Sequence, residues 1–283
     1  MKKQVNLINP HGTQPTSLLA LGRSIIKHRQ LILQMIKREV IGRYKGSVIG
    51  LAWSFFNPIF MLSVYTVVFS MIFKVRWGVD GEESGLQFAL ILFAGMVVLN
   101  FFNEVLNRAP NLILSNVNYV KKVVFPLEIL SIVSISAAFF HTLISFLVLI
   151  AAFVGFNGYL NATILLFPLI FLPLIILSLG ISWILASIGV FVRDVGQTIG
   201  LITTLLTFLS PVFYPISTVP KSLQPFIMAN PMTFIIEQVR LIMIWGKIPN
   251  WGGMATYLIV AILIMQIGFA WFQKTRKGFA DVI

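Results

Sequence analysis

The charged residues of this chain fall in clumps, and between them run five uncharged windows: Gly46–Phe73, Ser84–Asn103, Ile129–Val192, Val195–Pro220 and Ile248–Gln273. A bilayer core takes about 20 apolar residues per helix, so each window is long enough to cross. The third requires two helices, joined where turn formers cluster at Phe156-Asn157-Gly158-Tyr159-Leu160-Asn161. The pattern predicts an all-α polytopic membrane protein with six transmembrane helices, at roughly 48–73, 85–105, 128–155, 162–192, 196–216 and 251–273. The first apolar run begins only at Gly46 and has no cleavage-like flank, so no signal peptide is expected.

Two stretches fit neither a span nor a free loop. Between Ser17 and Val40, on a helical wheel, Leu18, Leu21, Ile25, Ile32, Met35, Ile36 and Val40 share one face, and Arg23, Lys27, Gln30, Gln34, Lys37 and Arg38 share the other. Arg29 interrupts the apolar face. The pattern predicts an amphipathic helix lying in the membrane interface, within an N-terminal segment 1–45; a solvated helix packed on another domain is the alternative. The second stretch carries Pro211, Pro215, Pro220, Pro225 and Pro231, a density no continuous helix survives. Its apolar pieces, Ser222–Met228 and Met232–Trp245, are too short to cross. They suggest short re-entrant helices in 217–248, before the last span, with a hydrophobic cap on the outer face as the alternative.

Charge sets the orientation. With both termini in the cytoplasm, 16 of the 21 Lys and Arg residues lie on the inner side, which satisfies the positive-inside rule. The tail, 274–283, is then cytoplasmic. Charged residues make up 11% of the chain against about 25% in a soluble domain, so little remains for a separate catalytic domain. Zero cysteines exclude thiolate metal sites and Cys nucleophiles, and three scattered histidines argue against a metal cluster. No G-x-x-x-x-G-K-[ST] loop occurs, so nucleotide energy must come from a partner. The only clustered carboxylates, Asp80, Glu82 and Glu83, read as a solvated turn, and a membrane transferase lacks the acid pair it needs. His141 is read as a packed polar residue. Small residues at helical spacing, Gly42, Gly46 and Gly50, then Ser178, Ser182 and Ala186, then Gly196, Gly200 and Thr204, suggest close helix packing.

Aromatic residues are dense: 25 Phe, 6 Trp and 6 Tyr. Among those on the first and fifth spans, Trp53, Phe56, Phe208, Phe213 and Tyr214 are candidates to line a sugar path, with a lipid-facing or core position as the alternative for each, whereas Phe171 and Phe269 are expected to face lipid.

In order along the chain stand Lys37-Arg38-Glu39-Val40-Ile41-Gly42-Arg43-Tyr44-Lys45-Gly46-Ser47, Gly50-Leu51-Ala52-Trp53, Asn57-Pro58, Phe93-Ala94-Gly95, Asn100-Phe101-Phe102, Val120-Lys121-Lys122-Val123-Val124-Phe125-Pro126, Phe191-Val192-Arg193-Asp194-Val195, Pro211-Val212-Phe213-Tyr214-Pro215 and Asn230-Pro231, then Glu237 and Arg240. This series resembles, almost end to end, the permease of type-2 ABC exporters of lipid-linked polysaccharide, as in O-antigen, capsule and wall teichoic acid export. The resemblance implies a homodimeric permease domain over 46–273 in a bacterial inner membrane, with two copies of a separate ABC ATPase that bind ATP and Mg. It implies no cofactor in this chain itself. The expected partners are a second copy, the ATPase, an undecaprenyl-linked polysaccharide and membrane lipids, with no nucleic acid. It also implies a coupling loop at 106–125, with Arg108, Asn111, Asn116 and Tyr119 as ATPase contacts and the Arg193-Asp194 turn as a second contact; a local salt bridge would explain that turn equally. Arg38, Arg43, Tyr44 and Lys45 are the expected first contacts of the substrate's pyrophosphate, with membrane anchoring as the alternative. A type-2 permease for a drug or small lipid is the nearest rival reading.

Overall fold

The computed structural model describes residues 16–72, 85–121 and 125–283. The turn of Asp80, Glu82 and Glu83, residues 1–15, residue 73 of the first span and residues 122–124 of the coupling loop lie outside the described residues. Every regular element among the described residues is helical, the economical solution for a chain whose backbone must satisfy its own N–H and C=O groups in lipid.

The amphipathic stretch forms two helices, α1 (Leu18–Lys27) and α2 (Arg29–Gly42). Ser17 caps α1 by accepting from the Ala20 amide at 3.3 Å, and the chain breaks at His28. The break disposes of the wheel's one irregularity: Arg29 is exposed, while Leu21, Ile32, Met35 and Val40 are buried. Beyond α2 the chain turns. Gly46 and Gly50 have φ of 89° and 58°, which only glycine adopts without strain, and no other group approaches the Cβ position of Gly42. The expected packing role of these three glycines is therefore corrected, since two of them turn the chain into the first span.

That span is α3 (Trp53–Tyr65), extended by a π-helical turn over Thr66–Ile72. Next come α4 (Gly85–Arg108), two 3-10 turns at Ala109–Asn111 and Leu114–Asn116, and the short α5 (Val117–Lys121). The longest uncharged window divides as expected. Helix α6 (Ile129–Asn157) stops at Gly158, with φ 73°, and α7 (Phe167–Phe191) follows. Then come α8 (Val195–Leu209), α9 (Gln224–Ala229), α10 (Pro231–Met243), α11 (Trp251–Thr275) and α12 (Phe279–Val282).

Among the described residues, five helical stretches are long and apolar enough to cross a membrane: Gly50–Phe69, Gly85–Asn111, Ile129–Asn157, Ala162–Phe191 and Trp251–Val282. The remaining apolar helix, α8, has 15 residues, about 22 Å of rise against a hydrocarbon core of about 30 Å. Its would-be last turn, after Leu209, is irregular chain. Short helices α9 and α10 occupy the proline-rich stretch, with Asn230 capping α10 through the Met232 amide at 3.0 Å and Pro231 at its first position.

Helix α4 runs through the middle of the core, with most of its length buried. Helices α7 and α11 touch backbone to backbone: a Cβ on Gly180 would meet the Met265 backbone at 2.6 Å, and one on Gly268 would land on the Gly180 carbonyl. The lipid-facing assignment of Phe171 and Phe269 is overturned. Phe171 is 0% exposed, with its ring 5.0 Å from that of Phe101, and Phe269 is 1% exposed against Trp183 at 5.1 Å. Uniformly apolar windows carry no polar stripe, so a wheel cannot say which side meets lipid and which meets protein.

Where α8 unwinds, Arg240 of α10 gathers the loose end. It is fully buried. Its guanidinium donates to the carbonyls of Pro211 at 2.6 Å, Val212 at 3.1 Å and Ile91 at 3.1 Å, and to Glu237 Oε1 at 2.8 Å. Gly95 of α4 makes room for it, since a Cβ there would lie 2.9 Å from Nη2. Carbonyls freed by the broken helix thus find a donor inside the protein, as an apolar surrounding requires.

Candidate functional site

A cavity of about 450 Å³ opens between α3, α4 and α6. Its α4 wall is Phe93, Val97, Asn100, Phe101 and Glu104, spaced 4, 3, 1 and 3 apart, which is one helix face. Trp53, Asn57, Pro58, Met61 and Tyr65 form the α3 wall, and His141, Thr142 and Ser145 of α6 close the third side. Aromatic rings and small amide or hydroxyl groups therefore alternate around the space. This suits a ligand with apolar C–H faces and a rim of hydroxyls, for which many weak hydrogen bonds and ring contacts replace any single strong one.

Charges stand at the mouth. Arg43 Nη1 donates to Glu104 Oε1 at 2.7 Å, Arg108 Nη1 reaches the same oxygen at 3.4 Å, and Arg108 Nη2 pairs with Glu39. Tyr44 Oη lies 3.3 Å from His141 Nδ1, with the two rings edge to face at 5.7 Å. Burial pushes the Tyr44 phenol above its usual range, so it stays a neutral hydroxyl. Four charges on two elements thus alternate as Arg43, Glu104, Arg108, Glu39.

Two more cavities adjoin through shared walls. One of about 560 Å³ lies among Glu39, Gly42, Arg43, Glu104, Asn107 and Arg108. The other, about 440 Å³, is bounded by Met35, Arg38, Glu39, Asn107, Arg108, Asn111 and Asn116 among others. Asn107 and Asn103 of α4 also meet α8, through Thr203 at 3.3 Å and Thr207 at 3.1 Å.

The residues singled out from sequence separate into groups. Arg43, Tyr44 and Trp53 meet at the first cavity, and Phe56 packs edge-on against Trp53 at 6.3 Å. Arg38 turns away from them: its Nη2 donates to the Tyr119 hydroxyl at 2.9 Å, and Tyr119 stacks on Phe125 at 4.5 Å. Lys45 is exposed on the turn after α2. Arg108, Asn111 and Asn116 border the third cavity, where Asn116 Nδ2 bonds the Leu112 carbonyl at 2.8 Å. The Arg193-Asp194 turn joins α7 to α8, exposed and without an ion pair between the two. It lies on the same side as Ala109–Asn111, because a Cβ on Gly189 would fall on the Pro110 carbonyl and one on Gly196 would lie 3.6 Å from Asn111 Nδ2.

Phe208, Phe213 and Tyr214 are elsewhere. Phe208 is exposed, its carbonyl accepts from Tyr214 Oη at 2.9 Å, and the Phe213 ring lies 6.3 Å from Phe69. They do not line the cavity that Trp53 borders. Sequence reasoning passed over Glu39, Glu104, Asn57, Asn100 and His141 as site residues. One signal was available for the acids: Glu104 stands four before Arg108 on α4, and Glu39 stands four before Arg43 across the end of α2, both beside the membrane boundary. Among the described residues no group of three or more His, Asp or Glu is placed to hold a metal ion.

Residues 30–244 match the family described as ABC-2 type transporter. The chain is 24% identical to the O-antigen export system permease protein RfbA of Myxococcus xanthus, over 94% of this chain and all of that protein. It is 24% identical to the O-antigen export system permease protein RfbA of Klebsiella pneumoniae, over 89% of this chain and 95% of the relative. It is 21% identical to the polysialic acid transport protein KpsM of Escherichia coli, over 85% and 92%.

Proposed function

This chain belongs to the ABC-2 type transporter family, and on that premise we propose that it is the membrane permease of an ATP-driven exporter of undecaprenyl-linked polysaccharide, most closely O-antigen. In this reading it sits in a bacterial inner membrane as a homodimer, with six spans per copy, α8 as the short fifth, and α9 and α10 as re-entrant helices at the outer face. Both termini are cytoplasmic, as the charge distribution favours. Two copies of a separate ATPase bind ATP and Mg and dock on the coupling loop 106–125 and the Arg193-Asp194 turn. The O-antigen export and polysialic acid transport in the names of the relatives support the cargo in this reading, and the exposed apolar faces of α3 and α8, where Phe60 and Phe208 are 64% and 68% exposed, support a second copy.

The observation that carries the proposal is the charged mouth. Arg108 lies at the start of the coupling loop and holds Glu39 and Glu104, while Glu104 holds Arg43 at the rim of the aromatic and amide-lined cavity. Motion of the loop on ATP binding therefore reaches the cavity through ion pairs rather than through apolar packing alone. Arg43 is the cation that an arriving pyrophosphate competes for, and binding it would release Glu104 from one of its two partners. No covalent chemistry is required of this chain, and Trp53, Tyr65 and Phe101 offer rings for the C–H faces of sugars without tight binding.

The test replaces Asn57 and Asn100 together with Leu, in cells whose own copy is deleted. Surface polysaccharide should fall by roughly tenfold while lipid-linked polymer accumulates inside and the level of the variant in the membrane is unchanged. Undiminished display, or loss of a small exported lipid instead, would refute the proposal. Because the native chain has no cysteine, single cysteines at Asn111, Asn116 and Arg193 should cross-link to the ATPase. The isolated chain should show no ATP hydrolysis.

A further inference from the structure

A second built cavity lies away from the first, under α1. It encloses about 500 Å³ between α1, the chain around Phe125 to Glu128, and the end of α11. Its acid is already neutralised: Glu128 accepts from Arg276 at 3.0 Å on one oxygen and from Ser24 Oγ at 3.0 Å on the other, and Arg276 also donates to the Phe125 carbonyl at 2.6 Å. Two cations, Arg23 and Lys27, also line the space and have no ion pair among the described residues. At its inner wall stands Gln273, 5% exposed, whose Oε1 meets no hydrogen-bond donor among the described residues. A buried acceptor without a donor is rare in folded proteins. The cavity therefore presents an excess of positive charge at its rim and one acceptor that asks for a hydroxyl or ammonium.

Its position narrows the ligand. The membrane-crossing stretch Trp251–Val282 ends beside it, so the cavity lies near headgroup level, and Leu19 of its rim is 77% exposed, with Ile26 nearby on α1 at 68%. Charge argues against the chain's own first 15 residues as the occupant, since they hold Lys2 and Lys3 and no acid. We propose that this cavity binds the headgroup of an anionic phospholipid bearing a free hydroxyl, of the phosphatidylglycerol type. Arg23 and Lys27 take the phosphate, Gln273 Oε1 accepts from the glycerol hydroxyl, and Leu19 and Ile26 lie along the acyl chains. Such a lipid would tether α1 to the ends of α6 and α11, outside the route assigned to cargo.

The test uses the purified full chain, delipidated and offered phosphatidylglycerol, phosphatidic acid, phosphatidylethanolamine or inorganic pyrophosphate, with retained ligand counted by native mass spectrometry. Wild type should retain phosphatidylglycerol at least about fivefold over phosphatidylethanolamine and hold no pyrophosphate at this site. The double variant R23Q/K27Q should lose that preference. Gln273→Leu should lower phosphatidylglycerol to the level of phosphatidic acid, because only the hydroxyl contact is removed. Lys274→Gln, outside the cavity, should change neither. Equal retention by wild type and R23Q/K27Q would overturn the proposal, as would pyrophosphate displacing the lipid or a rise in lipid occupancy on deleting residues 2–15. Surface polysaccharide display by the Asn57 and Asn100 variant is a separate readout, so this idea and the proposed function fail independently.

Discussion

Arg240 and Arg43 are both arginines of one membrane protein, yet they serve two levels of α4 in opposite ways. Arg240 is wholly buried and held by three carbonyls and one carboxylate. Arg43 keeps 46% of its side chain exposed and shares one carboxylate oxygen with Arg108. The two levels are separated by the rise of α4 from Gly95 to Glu104, about 14 Å. A buried cation bound to backbone on several sides makes a fixed joint. A half-exposed cation in an alternating chain of acids and bases exchanges partners at little cost, which is what a mouth needs if it is to release and recapture a charged ligand.

Breaking the fixed joint should have the largest effect. Arg240→Met strands the Pro211 and Val212 carbonyls, at about 1–3 kcal/mol each, and leaves the part-exposed Glu237 without its ion pair. The variant should fail to accumulate in the membrane, and Arg240→Lys should not rescue it, because one ammonium cannot span the same acceptors. Accumulation at wild-type level would mean that the broken end of α8 is held by other bonds. Gly95→Ala tests the same joint from across the interface: its methyl group crowds Nη2, and a destabilisation of about 1–3 kcal/mol is expected as a lowered melting temperature in detergent.

At the mouth the order reverses, with small effects on stability and large ones on transport. Glu104→Gln should cost at most about 1 kcal/mol of stability, given how exposed Arg43 is, but cut polysaccharide display roughly tenfold. Reversing both partners, Glu39→Arg with Arg108→Glu, should recover part of the display lost in either single variant, with a coupling of about 0.5–1 kcal/mol between the two. A display defect that merely tracks membrane level would erase the contrast between the two ends. The smallest change expected is that of Tyr119→Phe, which removes the hydroxyl that Arg38 donates to and keeps the ring. Its effect on stability should stay within about 0.5 kcal/mol, and its display should match wild type unless the coupling loop is registered on α2 through that bond.

Much is legible in the sequence alone. Charge-free windows near Gly46, Ser84 and Ile248 mark helices because lipid tolerates no unpaired charge, and Asn157-Gly158 marks a turn because glycine alone enters the left-handed region cheaply. Five prolines forbid one long helix, whatever surrounds them. These are local constraints, and the sequence by itself determined them along with the family. Facing is different. In windows where nearly every residue is apolar, Phe171 and Phe60 look alike, yet one is enclosed and the other exposed. Two glycines, Gly42 and Gly180, are likewise equivalent on paper, but only Gly180 meets another backbone. The pairs Glu39–Arg108 and Arg43–Glu104, and the three carbonyls on Arg240, join elements far apart in the chain. Such pairings depend on which helix faces approach one another, a collective outcome of packing that no window of sequence contains, so only the tertiary structure decided them.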